Sequence, residues 1–108
     1  MSIVAVVDDM FFASKIRAVA EAVGVEISFP RTKESLIEKA RQADLVIVDL
    51  HSQRFDPLSL PADLSGARLL GFFSHVEVEL QRQAVAAGYD RVIARSVFAR
   101  DLAQILSN

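Results

Sequence analysis

The sequence predicts an α/β fold, a small doubly wound domain built on a five-stranded parallel sheet. Short, continuous apolar runs alternate along the chain with stretches in which apolar residues recur at helical spacing. Continuous apolar runs are typical of strands that are buried on both faces, so helices must cover both sides of the sheet. Alternating strands and helices give parallel strands with right-handed crossovers. The chain has 108 residues, of which 52% are hydrophobic, and we expect residues 1–108 to form one domain.

Five strands are predicted from runs that are rich in Ile, Val, Leu and Phe. The first run stops at two adjacent acids, Asp8 and Asp9, and the second stops at Pro30. The third run ends at Asp49, and Ser74 follows the fourth. The predicted strands are residues 3–7, 26–29, 45–48, 68–73 and 91–94.

Four amphipathic helices are predicted between and after these strands. The first begins near Phe12 and stops at Gly24, a residue that favours the left-handed end of a helix. Thr32 can cap the second helix through its hydroxyl oxygen. A further helix ends at Gly88, and Ser96 is a candidate cap for the last one.

The segment between the third and fourth strands lacks a regular pattern. Pro57 and Pro61 lie within it, and proline removes a backbone donor that a helix needs. We therefore expect residues 51–65 to be mostly irregular, with a third helix that is reduced to a short segment.

The composition excludes several classes of function. The net charge is −2 without a basic run, which argues against nucleic acid or a membrane surface as a partner. There is no cysteine for a disulfide, a thiolate zinc site or a thiol nucleophile, and there are only two histidines. No apolar run approaches the ~20 residues of a membrane helix, and the N-terminus lacks the basic region of a secretory signal. We expect a cytoplasmic protein.

Polar residues follow the predicted strands where each strand ends. Asp8 and Asp9 follow the first, Asp49 the third, Ser74 the fourth and Arg95 the fifth. The carboxyl ends of parallel strands meet at one edge of the sheet, where such folds bind ligands. Three neighbouring carboxylates cannot all remain ionised without a compensating charge. A hard divalent cation, of which Mg²⁺ is the common one, would supply that charge.

Four motifs on this pattern resemble the response-regulator receiver domain, the phosphoacceptor module of two-component signalling. The resemblance covers essentially the whole chain and implies a flavodoxin-like strand order of 2-1-3-4-5. Each motif alone is weak, but the four occur in the family's order and at the family's places. They are VVDD, LVIVDL, FFSH and AAGYDRVIARS.

The resemblance implies a role for each residue at the edge of the sheet. Asp49 corresponds to the phosphoacceptor, and a carboxylate can act as the nucleophile toward a phosphoryl group. Such a transfer depends on in-line positioning and on positive charge near the phosphoryl oxygens. The implied Mg²⁺ ligands are Asp8, Asp9, Asp49 and the backbone carbonyl of His51, and the implied phosphoryl-binding residues are Ser74 and Arg95.

Three positions depart from the family pattern. Arg95 replaces the family's Lys, and a planar guanidinium is not equivalent to an ammonium. Ser96 replaces a Pro that follows a cis peptide, so we expect a trans bond here. Val92 replaces the aromatic switch residue and offers no ring that could swing. We expect the Arg95 guanidinium to lie over the acids, bonded to Asp49 or to one of the pair, and to weaken metal binding.

Structural interpretations exist for several of these residues. Asp9 can cap the first helix, and Ser74 with Glu77 forms a capping-box pattern. Arg95 can form a structural ion pair with Asp49 or Asp8. Tyr89 is interpreted as a surface turn residue. We interpret His51 and His75 as loop residues, and the pairs Phe11 with Phe12 and Phe72 with Phe73 as core.

The function that these patterns favour is a stand-alone receiver protein in a two-component phosphorelay. A histidine kinase or phosphotransfer protein would phosphorylate Asp49, and the output would be a contact with a downstream protein rather than an enzymatic activity. The alternative is a pseudo-receiver, an interaction module that is independent of phosphorylation; the residues at positions 92, 95 and 96 favour it. A nucleotide- or flavin-binding enzyme lacks support, because the four glycines form neither a dinucleotide fingerprint nor a P-loop.

Overall fold

The computed structural model describes residues 1–74 and 77–107, and their strands form one parallel sheet. The strand order is β2-β1-β3-β4-β5, and all four strand pairs are parallel. The α/β class and the order 2-1-3-4-5 are therefore confirmed. The strands are β1 (Ser2–Val6), β2 (Glu26–Ser28), β3 (Leu45–Asp49), β4 (Leu69–Phe73) and β5 (Arg91–Ala94).

Helices connect the strands and cover both faces of the sheet. The predicted last helix is divided at Asp101 into two short helices. Within the described residues, no helix is both long and apolar enough to cross a membrane. The helices are α1 (Met10–Val23), α2 (Lys33–Ala40), α3 (Leu60–Asp63), α4 (Val78–Ala87), α5 (Arg95–Arg100) and α6 (Leu102–Ser107).

Local capping signals account for both ends of α1 and for the start of α2. Asp9 caps α1 by accepting from the backbone N–H groups of the second and third helical residues, and Thr32 caps α2 by accepting from Ser35 N. Gly24 ends α1 with φ 76°, which a residue with a Cβ adopts at a cost. The prediction that Ser96 caps the last helix is wrong, because α5 already begins at Arg95 and Ser96 lies in its first turn.

The segment after β3 is mostly irregular, as predicted. Its only helix is the four-residue α3. Tyr89 is buried against this segment, and its hydroxyl donates to the carbonyl oxygen of Pro57 at 2.7 Å. The interpretation of Tyr89 as a surface turn residue is therefore wrong. Gly71 on β4 makes room for the ring, since a Cβ there would lie 3.1 Å from Tyr89 and 2.9 Å from Leu50.

Two apolar layers hold the sheet between its helices. On the α1, α5 and α6 side, Phe72 stacks on Phe98 with centroids 4.7 Å apart, and Phe12 packs edge-on against both rings. Burial of each ring contributes about 1.5–3 kcal/mol. Phe73 is buried in the other layer. Phe11 is 91% exposed, so its assignment to the core was wrong: the period of α1 turns it away from the sheet.

Candidate functional site

The parallel sheet brings the predicted site residues to one edge. Asp49 is the last residue of β3, and Asp8 and Asp9 follow β1. Ser74 follows β4, and Arg95 begins α5 directly after β5. The register aligns Val6 with Val48 and Phe73 with Ala94, so the strands end at nearly the same level.

Asp49 lies at the centre of this edge and is only 7% exposed. Its Oδ1 accepts a hydrogen bond from His51 N at 2.9 Å. Burial raises the pKa of the Asp49 carboxyl, although the His51 N–H and the Arg95 charge act in the opposite direction. The nearby Asp8 charge raises this pKa further. In the described part of the chain Oδ2 has no hydrogen-bond partner, and it is not a fully buried atom.

Asp8 accepts hydrogen bonds from the loop that follows β3. Its Oδ1 accepts from Ser52 Oγ, and its Oδ2 accepts from Gln53 N, each at 2.8 Å. Ser52 is one of two buried polar or charged residues among those described, the other being Asp49. Asp8 therefore fixes the loop beside the predicted phosphoacceptor. Ser52 could not be predicted from the sequence, because no local pattern relates it to an acid 44 residues away.

Asp9 has both oxygens engaged by the chain. Oδ1 accepts from Phe11 N at 2.9 Å and from Phe12 N at 3.2 Å, which confirms the helix-cap interpretation. Oδ2 accepts from Arg95 Nη2 at 3.1 Å. The backbone N–H of Phe12, followed by the hydrogen bond from Arg95, holds the pKa of the Asp9 carboxyl below its usual value.

Arg95 donates a hydrogen bond to Asp9, one of the paired acids, as predicted. Its guanidinium also lies over the Phe12 ring, with Cζ 4.1 Å from the centroid. The described residues contain no cis peptide, so the bond between Arg95 and Ser96 is trans, as expected. Arg95 is thus held between an acid and an aromatic ring.

The three acids do not form a ready metal-binding cluster. Across residues 1–74 and 77–107, no group of three or more His, Cys, Asp or Glu side chains is placed to hold a metal ion. Carboxylates suit a hard cation chemically, but Asp8 points to the loop and Asp9 to its helix and Arg95. The expectation that Asp8, Asp9 and Asp49 lie within joint coordination reach is therefore not met in this conformation. Present side-chain positions do not fit the metal.

Ser74 is half-buried and lines a groove of about 820 Å³ beside the acids. Phe12, Arg95 and Ala99 line the same groove. The N-cap of α4 is Glu77, so the capping-box interpretation of Ser74 is wrong. His51 is an exposed loop residue, as interpreted, while His75 lies outside the described residues.

Comparisons with known proteins identify the fold but not a family by sequence. No protein-family model matches the sequence, and no curated protein matches it significantly. A response regulator from Hahella chejuensis superposes with a TM-score of 0.81 at 18% identity, over 98% of this chain and 92% of that one. A response regulator from Thermotoga maritima superposes with a TM-score of 0.71 at 15% identity, over 99% of this chain and 98% of that one.

A third similar structure contains a chemically modified site. It is a response regulator protein from Burkholderia pseudomallei with a phosphorylated aspartic acid, a calcium ion and citrate. Its TM-score is 0.71 at 19% identity, over 96% of this chain and 69% of that one. At such identities the likeness shows that this chain has the fold of response-regulator receiver domains.

Proposed function

We propose that residues 1–108 act as one receiver domain in two-component signalling and accept a phosphoryl group on Asp49. The observation that carries the proposal is the Asp49 carboxylate itself. It ends β3 at the ligand-binding edge of the sheet, with Oδ1 held by His51 N and Oδ2 without a partner in the described residues. Its raised pKa reflects a partly desolvated carboxylate, which is a better nucleophile than a fully hydrated one.

The transfer would use Asp49 Oδ2 as the attacking atom. A bond forms between Oδ2 and phosphorus while the donor's bond to phosphorus breaks, and the donor keeps that electron pair. Ser74 and Arg95 would bind the phosphoryl oxygens, Arg95 by turning from Asp9. Both partners of that ion pair are partly exposed, at 35% and 41%, so the exchange is inexpensive.

Mg²⁺ is the cofactor that the receiver resemblance implies, and the ligands we propose are Asp8, Asp9, Asp49 and the His51 carbonyl. Bound there, it would supply positive charge near the phosphoryl oxygens. To serve as ligands, Asp8 and Asp9 would have to share their oxygens with the donors on Ser52, Gln53 and Arg95 or displace those donors.

The proposed partners are a histidine kinase or phosphotransfer protein as donor and a downstream protein as target, in the cytoplasm. Nucleic acid and membrane are not proposed as partners, because the chain carries a net charge of −2. We propose no enzymatic activity beyond transfer to and loss from Asp49.

Intact-mass measurement after exposure to phosphoramidate and Mg²⁺ tests this function. We expect one added phosphoryl group on the wild type and none on Asp49→Asn. Asp44→Asn is the matched control, since Asp44 accepts from Ser2 N at the opposite end of the sheet. An unmodified wild type, or an Asp49→Asn variant that still gains the mass, would contradict the proposal.

A pseudo-receiver is the second candidate, and one observation favours it. All four carboxylate oxygens of Asp8 and Asp9 accept hydrogen bonds from the chain itself. The acids therefore already have structural roles without a metal. A folded wild type that is never phosphorylated but still binds a partner would establish this alternative.

A further inference from the structure

Three arginines from separate parts of the chain surround one shallow pocket near Asp8. Arg17 is on α1, Arg31 precedes α2, and Arg54 lies between β3 and α3. The pocket has a volume of about 120 Å³, and all three side chains are exposed. We propose that this arginine pocket docks an acidic segment of a partner protein.

The chain neutralises the charge of the arginine pocket only in part. None of its arginines forms an ion pair within the described residues, whereas Arg82, Arg95 and Arg100 each pair with an acid. Three arginines and one acid thus line a pocket of a protein whose net charge is −2. This uneven distribution favours an anionic ligand.

The pocket is also partly organised in advance. The Arg17 guanidinium stacks over the Phe29 ring, with Cζ 4.7 Å from the centroid, which limits its rotation. Asp8 lines the pocket as well, but its two oxygens are occupied by Ser52 Oγ and Gln53 N. Within the described residues Asp8 accepts no hydrogen bond from these arginines, which remain available to carboxylates from a partner.

Exposed apolar side chains adjoin the arginines. Met10 lines the pocket and is 75% exposed, and Phe11 follows it on α1 at 91%. An exposed aromatic and a methionine beside free guanidinium groups match the composition of protein interfaces. The occupant that fits is a segment in which carboxylates flank an apolar side chain.

The surroundings favour a protein over a nucleic acid or a membrane. Asp8 lines the pocket and Asp9 follows it in the chain, and these acids would repel a continuous phosphate backbone or an anionic lipid surface. Discrete carboxylates can contact the arginines and avoid these acids. The pocket is at the same edge as Asp49, so a docked partner would face the phosphoacceptor; this last point alone rests on the proposed function.

An NMR titration tests the docking surface without any phosphodonor. The probe is a short synthetic peptide in which Glu residues flank a single Leu, added to ¹⁵N-labelled wild-type protein. We expect shifts of amides in residues 10–17, 29–31 and 53–55, and affinity that weakens with added salt. A phosphorylation failure would leave this result unchanged, so the two proposals fail separately.

Charge-reversal variants locate the binding. The triple variant Arg17→Glu, Arg31→Glu, Arg54→Glu should lose about tenfold or more in affinity. The control, Arg41→Glu, Arg68→Glu, Arg91→Glu, has the same charge change away from the pocket and should lose much less. Thermal melting checks that both triple variants fold. A second test compares the peptide affinity of Phe11→Ser, which changes the exposed ring beside the pocket, with that of the control Val85→Ser.

Several results would overturn the inference. They are the absence of localised shifts with the Glu–Leu peptide, equal losses in the two triple variants, and equal binding of a Lys–Leu peptide. Binding to phosphatidylserine vesicles in preference to the acidic peptide would also overturn it and assign the pocket to membranes.

Discussion

The loop after β3 and the groove beside Ser74 lie at the same edge of the sheet but are built differently. Asp8 binds the loop at Ser52 and Gln53, and Tyr89 binds it at Pro57. The groove is lined largely by apolar and small side chains. The chain therefore fixes the loop beside Asp49, the proposed phosphoacceptor, and leaves space on the side where the phosphoryl oxygens would lie.

Asp8→Ala should have the largest effect on this comparison. It removes two hydrogen bonds and leaves the buried Ser52 hydroxyl without its acceptor, so we expect unfolding free energy to fall by about 2 kcal/mol. Urea denaturation measures this loss. Ser52→Ala, which removes one hydrogen bond and keeps the bond from Gln53 N to Asp8, should cost less; a greater cost for Ser52→Ala would contradict the account of the loop.

Tyr89→Phe should have the next largest effect. It deletes the hydroxyl that donates to Pro57 O but keeps the ring over Gly71, so we expect a loss of about 1 kcal/mol. Burial raises the pKa of Tyr89 above its ordinary value of 10.0. The wild type should therefore lose stability as the pH rises above the pKa of the unfolded chain. Tyr89→Phe should lack that alkaline loss, and equal pH profiles would contradict the role.

Arg95→Ala should have a smaller effect, because its side chain is partly exposed. Loss of the contact with the Phe12 ring and the bond to Asp9 should reduce stability by about 0.5–1 kcal/mol. Arg95→Lys should retain most of this stability and, if anything, improve phosphorylation of Asp49. An unchanged melting temperature in Arg95→Ala would show that neither the contact with the Phe12 ring nor the bond to Asp9 stabilises the fold.

Asp49→Asn should give the smallest change in stability, and the change should be a gain where the other variants lose stability. The folded pKa of Asp49 is raised above the ordinary 3.8, so stability falls as the pH rises from the unfolded to the folded pKa. Asn carries no charge to desolvate, so the variant should be more stable than the wild type at neutral pH. The gain should vanish in acid below the unfolded pKa, as denaturation at several pH values would show.

Elements with local signals could be predicted from the sequence, and long-range contacts could not. Asp9 and Thr32 cap helices through residues two or three positions away, a relation that the sequence displays directly. The bonds from Ser52 to Asp8 and from Tyr89 to Pro57 join residues 44 and 32 positions apart. No periodicity indicates such pairs, so the hydrogen bonds that Asp8 accepts from the loop could not be predicted.

The sequence predicted the position of the strand-end residues but not the orientation of their side chains. Strand ends gave the correct edge for Asp8, Asp9, Asp49, Ser74 and Arg95, since parallel strands must align there. The direction of each side chain depends on competing donors. The sequence predicted that Arg95 would bond an acid, because opposite charges alone favour it. It could not show whether the Asp8 carboxylate would face a loop N–H or a metal.

Magnesium-dependent melting tests the central claim most directly, namely that the chain's own donors occupy acids that a metal would otherwise use. The wild type should show a small rise in melting temperature with millimolar Mg²⁺. Arg95→Ala should show a larger rise, because Asp9 has lost its internal cation. A rise in the wild type that equals that in Arg95→Ala, or no rise in either, would contradict the claim.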